Sequence, residues 1–148
     1  MLKDTATRLR ERGINPSMQR IAILDYMATH FTHPTVDNIY NDLFPTMPTL
    51  SKTTIYNTLT LFAEQGLIMR FMTNDDVMHF DGNAENHTHF KCQQCGKIYD
   101  FPLPEIKTPQ MEQFEVTDIK LFYYGICKDC SSCKKGKSSS EILRSTII

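Results

Sequence analysis

The sequence predicts an α+β protein: an N-terminal winged helix-turn-helix domain, then a small α/β dimerisation domain with a four-cysteine zinc site. Three observations predict it. Within the first eighty residues, three stretches of helical apolar periodicity precede an alternating hairpin. All five cysteines (92, 95, 127, 130 and 133) fall in the second half, in C-x-x-C spacing. The segments around them are rich in aromatic and β-branched residues, as strands are.

Each element has a local reason. "PSMQRIAILDYMATH" opens with Ser17 as N-cap and places Ile21, Leu24 and Ala28 on one face, flanked by Ile23 and Met27. "HPTVDNIYNDLF" opens with Thr35 as N-cap, and Val36, Ile39, Tyr40 and Leu43 follow at i, i+3, i+4, i+7. "SKTTIYNTLTLFAEQG" has Ser51 as N-cap, Ile55, Leu59, Phe62 and Ala63 as its apolar stripe, and Gly66 as its stop. "LIMRFMTNDDVMHFD" then alternates on either side of Asn74-Asp75-Asp76, as a hairpin does. Polar "DGNAEN" is the expected hinge. Beyond it "HTHFKC" and "KIYDF" read as strands around a cysteine knuckle, "PEIKTPQMEQFE" as a helix interrupted by Pro109, and "VTDIKLFYYGIC" as a strand. The expected domains are 1–80 (winged helix), 81–86 (hinge), 87–133 (α/β) and 134–148 (a flexible tail).

Hydrophobic residues make up 41% and charged residues 22%, which are the proportions of a soluble globular chain. "MLKDTATRLRERG" lacks the apolar core of a signal peptide, and no run approaches membrane-spanning length. A cytoplasmic protein without a membrane partner is expected. Net charge is −1, and residues 1–80 carry seven Lys/Arg against eight Asp/Glu, so charge alone does not point to nucleic acid. The third helix does. Its outer face offers Thr53, Thr54, Tyr56, Asn57 and Thr60, which can hydrogen-bond without carrying charge. With Ser51 at the helix start, that face suits base edges in the major groove. The plainer reading is a Thr-rich face turned to solvent.

"NHTHFKCQQCGKIYDF" mixes two kinds of metal ligand. Imidazole and carboxylate suit iron or manganese, whereas thiolates suit zinc. Side chains alternate along a strand, so His87 and His89 share one face and Cys92 has the opposite parity. The segment can therefore serve two metals. Cys92-x-x-Cys95 and Cys127-x-x-Cys130 suffice for a closed tetrahedral zinc site, which is structural because it has no open position. Cys130-x-x-Cys133 is also a C-x-x-C, so Cys133 could replace Cys127. His87 and His89 lie near Asp81 and Asp100; by spacing alone such surface histidines are more often solvated than ligating. His33 reads as a residue at a helix start, and His30 and His79 as surface or wing residues.

Together, "HPTVDNIYNDL", "TTIYNTLTLFAEQGLI", "HFD", "HTHFKCQQCGKIYDF" and "YGICKDC" resemble the ferric uptake regulator family, over about residues 5–132. Within it, the chain looks most like the peroxide-sensing branch. Asp100 stands where the iron-uptake branch typically has Glu, and Asn57 where it usually has Arg. The resemblance implies a regulatory Fe2+ or Mn2+ held by His33, Asp81, His87, His89 and Asp100, beside a structural Zn2+. It implies a homodimer that represses from double-stranded operator DNA. Oxidation of His33 or His87 by peroxide at bound iron would release that DNA. The alternative is a regulator of the same build that reports only iron, manganese or zinc supply. A 2-His-1-carboxylate set can also activate oxygen. No cofactor motif or nucleophile–base pair accompanies it, so neither an enzyme nor a small organic ligand is expected. Three departures are visible: Ser17-Met18 replaces the common Thr-Pro, the segment between the cysteine pairs is short and proline-bearing, and "VTDIKLFYYG" lacks histidine. The last implies that a further metal site found in many members is absent.

Overall fold

The structure, a computed structural model, describes residues 4–133; the tail expected at 134–148 lies outside them. The chain divides between Glu85 and Asn86 into two compact units. In the first, α1 (Thr5–Glu11), α2 (Met18–Thr29), α3 (Val36–Leu43) and α4 (Lys52–Glu64) precede a hairpin of β1 (Met69–Met72) and β2 (Met78–Asp81). In the second, β3 (Thr88–Cys92), β4 (Ile98–Phe101) and β5 (Phe122–Gly125) form one sheet, followed by α5 (Lys128–Ser132).

The helix starts follow from local chemistry. The Ser17, Thr35 and Ser51 hydroxyls accept from the backbone N–H of Arg20, Asn38 and Thr54. Thr35 and Asn38 complete a reciprocal capping box. The stop at the end of α4 is equally local. Gly66 has φ +67°, the Gly66 N–H donates to Ala63 and the Leu67 N–H to Phe62. That closes the last turn at the residue where a left-handed φ costs least.

Leu9, Ile23, Met27, Ile39, Leu59 and Phe62 are wholly buried and hold the helices together, with Phe80 of β2 in the same core. Two expectations change here. α1 is a fourth helix that the apolar pattern did not announce; it buries only Leu9. α2 buries Ile23, Leu24, Tyr26 and Met27 and leaves Ala28 exposed, so the larger side chains set its rotation.

A polar tie joins α2 to α3: the Tyr26 hydroxyl donates to Asp42 at 2.6 Å. Burial and the Asp42 carboxylate both hold the phenol far above its usual range. The folded state therefore favours the protonated phenol. The contribution is complete below the ordinary tyrosine value of about 10 and fades as pH rises beyond it. Tyr26→Phe is expected to cost about 1–2 kcal/mol in urea unfolding at neutral pH. The gap between the two proteins should narrow in strong alkali.

In the second unit β3 is central, antiparallel to β4 and parallel to β5. The helix expected over residues 104–115 is absent; only a 3-10 turn, Pro109–Met111, forms. Pro109 lacks an N–H and pushes Thr108 out of helical conformation (φ −126°, ψ 67°). The strand expected over 116–127 shrinks to Phe122–Gly125, the part that pairs with β3. α5 is an addition to the expected elements.

Candidate functional site

Cys92 ends β3, and Cys95 sits in the turn that follows, where Gly96 N–H donates to the Cys92 carbonyl and Cys92 N–H to the Lys97 carbonyl. Cys127 stands at the N-cap of α5 and Cys130 lies inside it. The Sγ atoms of Cys92, Cys95, Cys127 and Cys130 all lie within 4.8 Å of one another. Cys95 and Cys127 are 3.8 Å apart, and a tetrahedron with Zn–S bonds of about 2.3 Å has an edge of about 3.8 Å. The donor set fits zinc. Cys133 is exposed and stands outside this group.

The sulfurs do not share charge equally. Backbone N–H groups of Cys127 (3.3 Å) and Cys95 (3.5 Å) donate to Cys92 and pull its thiol down to about 6. The Cys127 thiol is lowered too, chiefly by the Cys130 backbone N–H. Cys130 is pushed up to about 12, because its proton is held against Cys127 and by burial. Without a cation the cluster keeps a proton at Cys130; a divalent ion offers the charge that would let all four sulfurs ionise. Tyr99 of β4 is half-buried beside them, and the attraction of its proton to the Cys127 sulfur pushes the phenol up to about 12.

The same strand pair carries a second group of residues with metal-ligand chemistry. His89 opposes Asp100 across β3 and β4, while Phe90 opposes Tyr99 on the alternate face. Asp100 Oδ1 lies 3.4 Å from His89 Nε2 and 3.4 Å from His87 Nε2. Two imidazoles thus converge on one carboxylate oxygen. His89 is buried and Asp100 exposed, which leaves an approach from solvent.

In the first unit, His33 precedes α3 and Asp81 ends β2. His33 Nε2 and Asp81 Oδ2 are 3.3 Å apart, and both side chains are buried. These separations exceed the usual N–H···O distance of about 2.9 Å. They match the spacing of about 3.0–3.4 Å between neighbouring ligands on an ion about 2.1 Å from each. Each of the two groups therefore offers donors suited to a divalent cation of the iron and manganese type, which favours mixed nitrogen and oxygen ligands.

Gly82 follows Asp81 against α2, where a Cβ would overlap the Met27 carbonyl oxygen. Gly82→Ala is expected to cost about 1–3 kcal/mol, read as a lower unfolding midpoint.

α4 presents part of the expected outer face: Thr54 and Thr60 are half-buried, and Thr60 Oγ1 accepts from Arg70. Ile55, Thr58, Leu59 and Phe62 are buried, whereas Thr53, Tyr56 and Asn57 are exposed. The Ser51 hydroxyl is engaged as the cap, accepting from Thr54 N–H, and it also pairs with the Thr54 hydroxyl. The exposed side chains of Thr53, Tyr56 and Asn57 are thus better placed to meet a ligand than Ser51 or Thr54.

Two residues escaped the sequence reading. Tyr99 lies beside the cysteine cluster. His79 is no bystander of the wing: its Nδ1 is 2.7 Å from the His33 carbonyl oxygen. Its position two residues before Asp81 on a strand, hence on the same face, was the available signal.

Residues 11–127 match the model of the ferric uptake regulator family. The chain is 40% identical over 134 residues to the peroxide-responsive repressor PerR of Staphylococcus aureus (strain Mu50), covering 87% of this chain and 90% of that protein. Its fold is shared with the Helicobacter pylori ferric uptake regulator, a protein with three functional metal-binding sites, at 23% identity and TM-score 0.69, over 90% and 89% of the two chains. It is also shared with the peroxide-sensing PerR of Streptococcus pyogenes at 31% identity and TM-score 0.51, over 87% and 94%.

Proposed function

The chain belongs to the ferric uptake regulator family, whose members are transcriptional regulators rather than enzymes, and on that premise we propose that it is a metal-dependent repressor that releases operator DNA in response to peroxide. The convergence of His87 and His89 on Asp100 Oδ1 carries this reading.

His33, Asp81, His87, His89 and Asp100 make the regulatory ligand set; Cys92, Cys95, Cys127 and Cys130 make the structural zinc shell. Ferrous iron in the regulatory set supplies, when bound, the redox chemistry that turns peroxide into an oxidant beside the imidazoles, whereas manganese supplies the same charge without it. The side chains do the rest. Asp81 and Asp100 balance the charge of a divalent cation. Three neutral imidazoles complete the hold. Ligands drawn from both units favour the arrangement in which all can reach, and that preference is a linkage free energy.

Exposed Phe114, Val116, Ile119 and Tyr123 on the second unit supply the apolar area that a second copy would cover. In such a homodimer the favoured arrangement sets the separation of the two α4 helices, which must match half-sites about one helical turn apart or a multiple of it. An oxygen added to the His33 or His87 ring makes it a poorer ligand, and the preference for the DNA-bound arrangement is lost.

The test uses zinc-loaded protein with ferrous iron or manganese, bound to a duplex selected by the manganese form from a random-sequence pool. Micromolar peroxide should release the iron form alone and add the mass of one oxygen to the peptide of His33 or His87. If both forms stay bound and neither peptide gains mass, peroxide sensing is wrong, and a regulator of metal supply is left. Asp100→Glu is expected to keep manganese-dependent DNA binding and blunt the response to peroxide, since a longer carboxylate moves the shared oxygen. Unchanged peroxide sensitivity would remove Asp100 as a determinant.

A further inference from the structure

His33 has φ +54°, a left-handed conformation that side-chain-bearing residues rarely adopt. The next residue is Pro34, which biases its predecessor towards extended backbone. His33 is thus doubly unfavoured locally, and its ring can be aimed only if something else holds its backbone. Three successive residues of β2 do so. His79 Nδ1 lies 2.7 Å from the His33 carbonyl oxygen, Phe80 N–H donates to the Pro34 carbonyl at 3.0 Å, and Asp81 Oδ2 is 3.3 Å from His33 Nε2. A carbonyl only accepts, so the proton sits on His79 Nδ1. Phe71 of β1 steadies both rings: it stacks on His79 (centroids 5.8 Å apart, planes at 19°) and meets His33 edge-on (5.9 Å, 63°).

We infer that His79 is a positioning residue for the regulatory metal: its hydrogen bond to the His33 carbonyl presets the left-handed backbone that turns the His33 imidazole towards Asp81. This rests on the assignment of His33 as a ligand. Strain of this kind persists only where surrounding structure over-determines it, and the stretch His79 to Asp81 grips His33-Pro34 at backbone and side chain together. Without the His79 bond, His33 can relax towards extended backbone and its nitrogen leaves the place the metal needs.

The experiment measures Mn2+ affinity of the zinc-loaded protein by calorimetry. His79→Phe keeps a ring for Phe71 and removes the donor; it is expected to weaken Mn2+ binding about 10–100-fold, as loss of partners behind metal ligands does. His79→Asn places an amide N–H where Nδ1 stood and should restore most of the affinity. In a His33→Ala background, His79→Phe should have no further effect, because its action passes through His33. A purely structural role would weaken binding in both backgrounds and would not be rescued by Asn. Wild-type affinity in His79→Phe, no rescue by Asn, or an equal loss in the His33→Ala background each overturns the positioning role. If His33→Ala itself leaves Mn2+ affinity unchanged, the ligand assignment falls and the positioning role with it. If His33→Ala weakens binding and His79→Phe does not, only the positioning role falls.

Discussion

Cys92→Ser is expected to abolish zinc binding and unfold the second unit while leaving the first intact. In the second unit the buried residues are Thr88, His89, Cys92 and Cys127, with no fully buried Leu, Ile, Val or Phe among the described residues. A domain so poor in apolar core needs a staple. Structural zinc contributes about 10–16 kcal/mol of apparent binding energy in small zinc-dependent folds, as much as the whole stability of an ordinary domain, about 5–15 kcal/mol. Cys92 also has the most to lose. It ends the central strand and accepts from the Cys127 and Cys95 amides as a thiolate, where serine would offer only a neutral hydroxyl on a shorter bond. The first unit keeps its core of Leu9, Ile23, Ile39, Leu59 and Phe62. Amide NMR should show collapsed dispersion for residues from Asn86 onward and native shifts up to Glu85, with zinc absent by metal analysis. A fully folded, dimeric Cys92→Ser protein without zinc would show the cysteine centre to be dispensable.

His89→Ala is expected to have the second large effect, on regulation rather than folding. His89 is 2% exposed, stacks on Phe122 with ring centroids 5.4 Å apart, and holds its Nε2 3.4 Å from Asp100 Oδ1. Its removal leaves His87 and Asp100 without a third convergent donor and opens a buried space. Losing a partner behind a ligand costs about 10–100-fold in affinity, so on the proposed assignment of His89 as a ligand its loss should cost at least the upper end of that range. Manganese titration should show this loss while the zinc content stays at the wild-type level. Operator binding in a mobility-shift assay should no longer respond to manganese. Wild-type manganese affinity would remove His89 from the ligand set.

Much of the fold was legible because its signals are short-range. A serine or threonine three residues before the N–H it caps, a glycine where φ must turn positive, and an apolar residue every third or fourth position act within one helix turn. Ser17, Thr35, Ser51 and Gly66 accordingly stand where their chemistry suggests. Failures cluster where the outcome depends on partners far along the chain. The stretch 116–127 has strand composition throughout, yet only the four residues that meet β3 are strand. α1 is too short to show periodicity, and its place depends on burying Leu9 and on the Thr5 hydroxyl bonded to Asp25. Pro109 announces an interrupted helix; that it leaves a single 3-10 turn follows from its missing N–H and its effect on Thr108.

By itself the sequence determined which chemistries are present: five thiols in C-x-x-C spacing, a His-x-His beside an aspartate strand, and a hydroxyl-rich helix. Those are properties of residue type and local period, which survive in any conformation with the right secondary structure. Only tertiary structure decided the rest: that Cys127 and not Cys133 joins Cys92, Cys95 and Cys130, that His87 and His89 converge on a single oxygen of Asp100, and that His33 adopts a backbone its own neighbours disfavour. Such choices come from contacts between residues tens of positions apart, where packing and pairing outweigh the local preference of each residue.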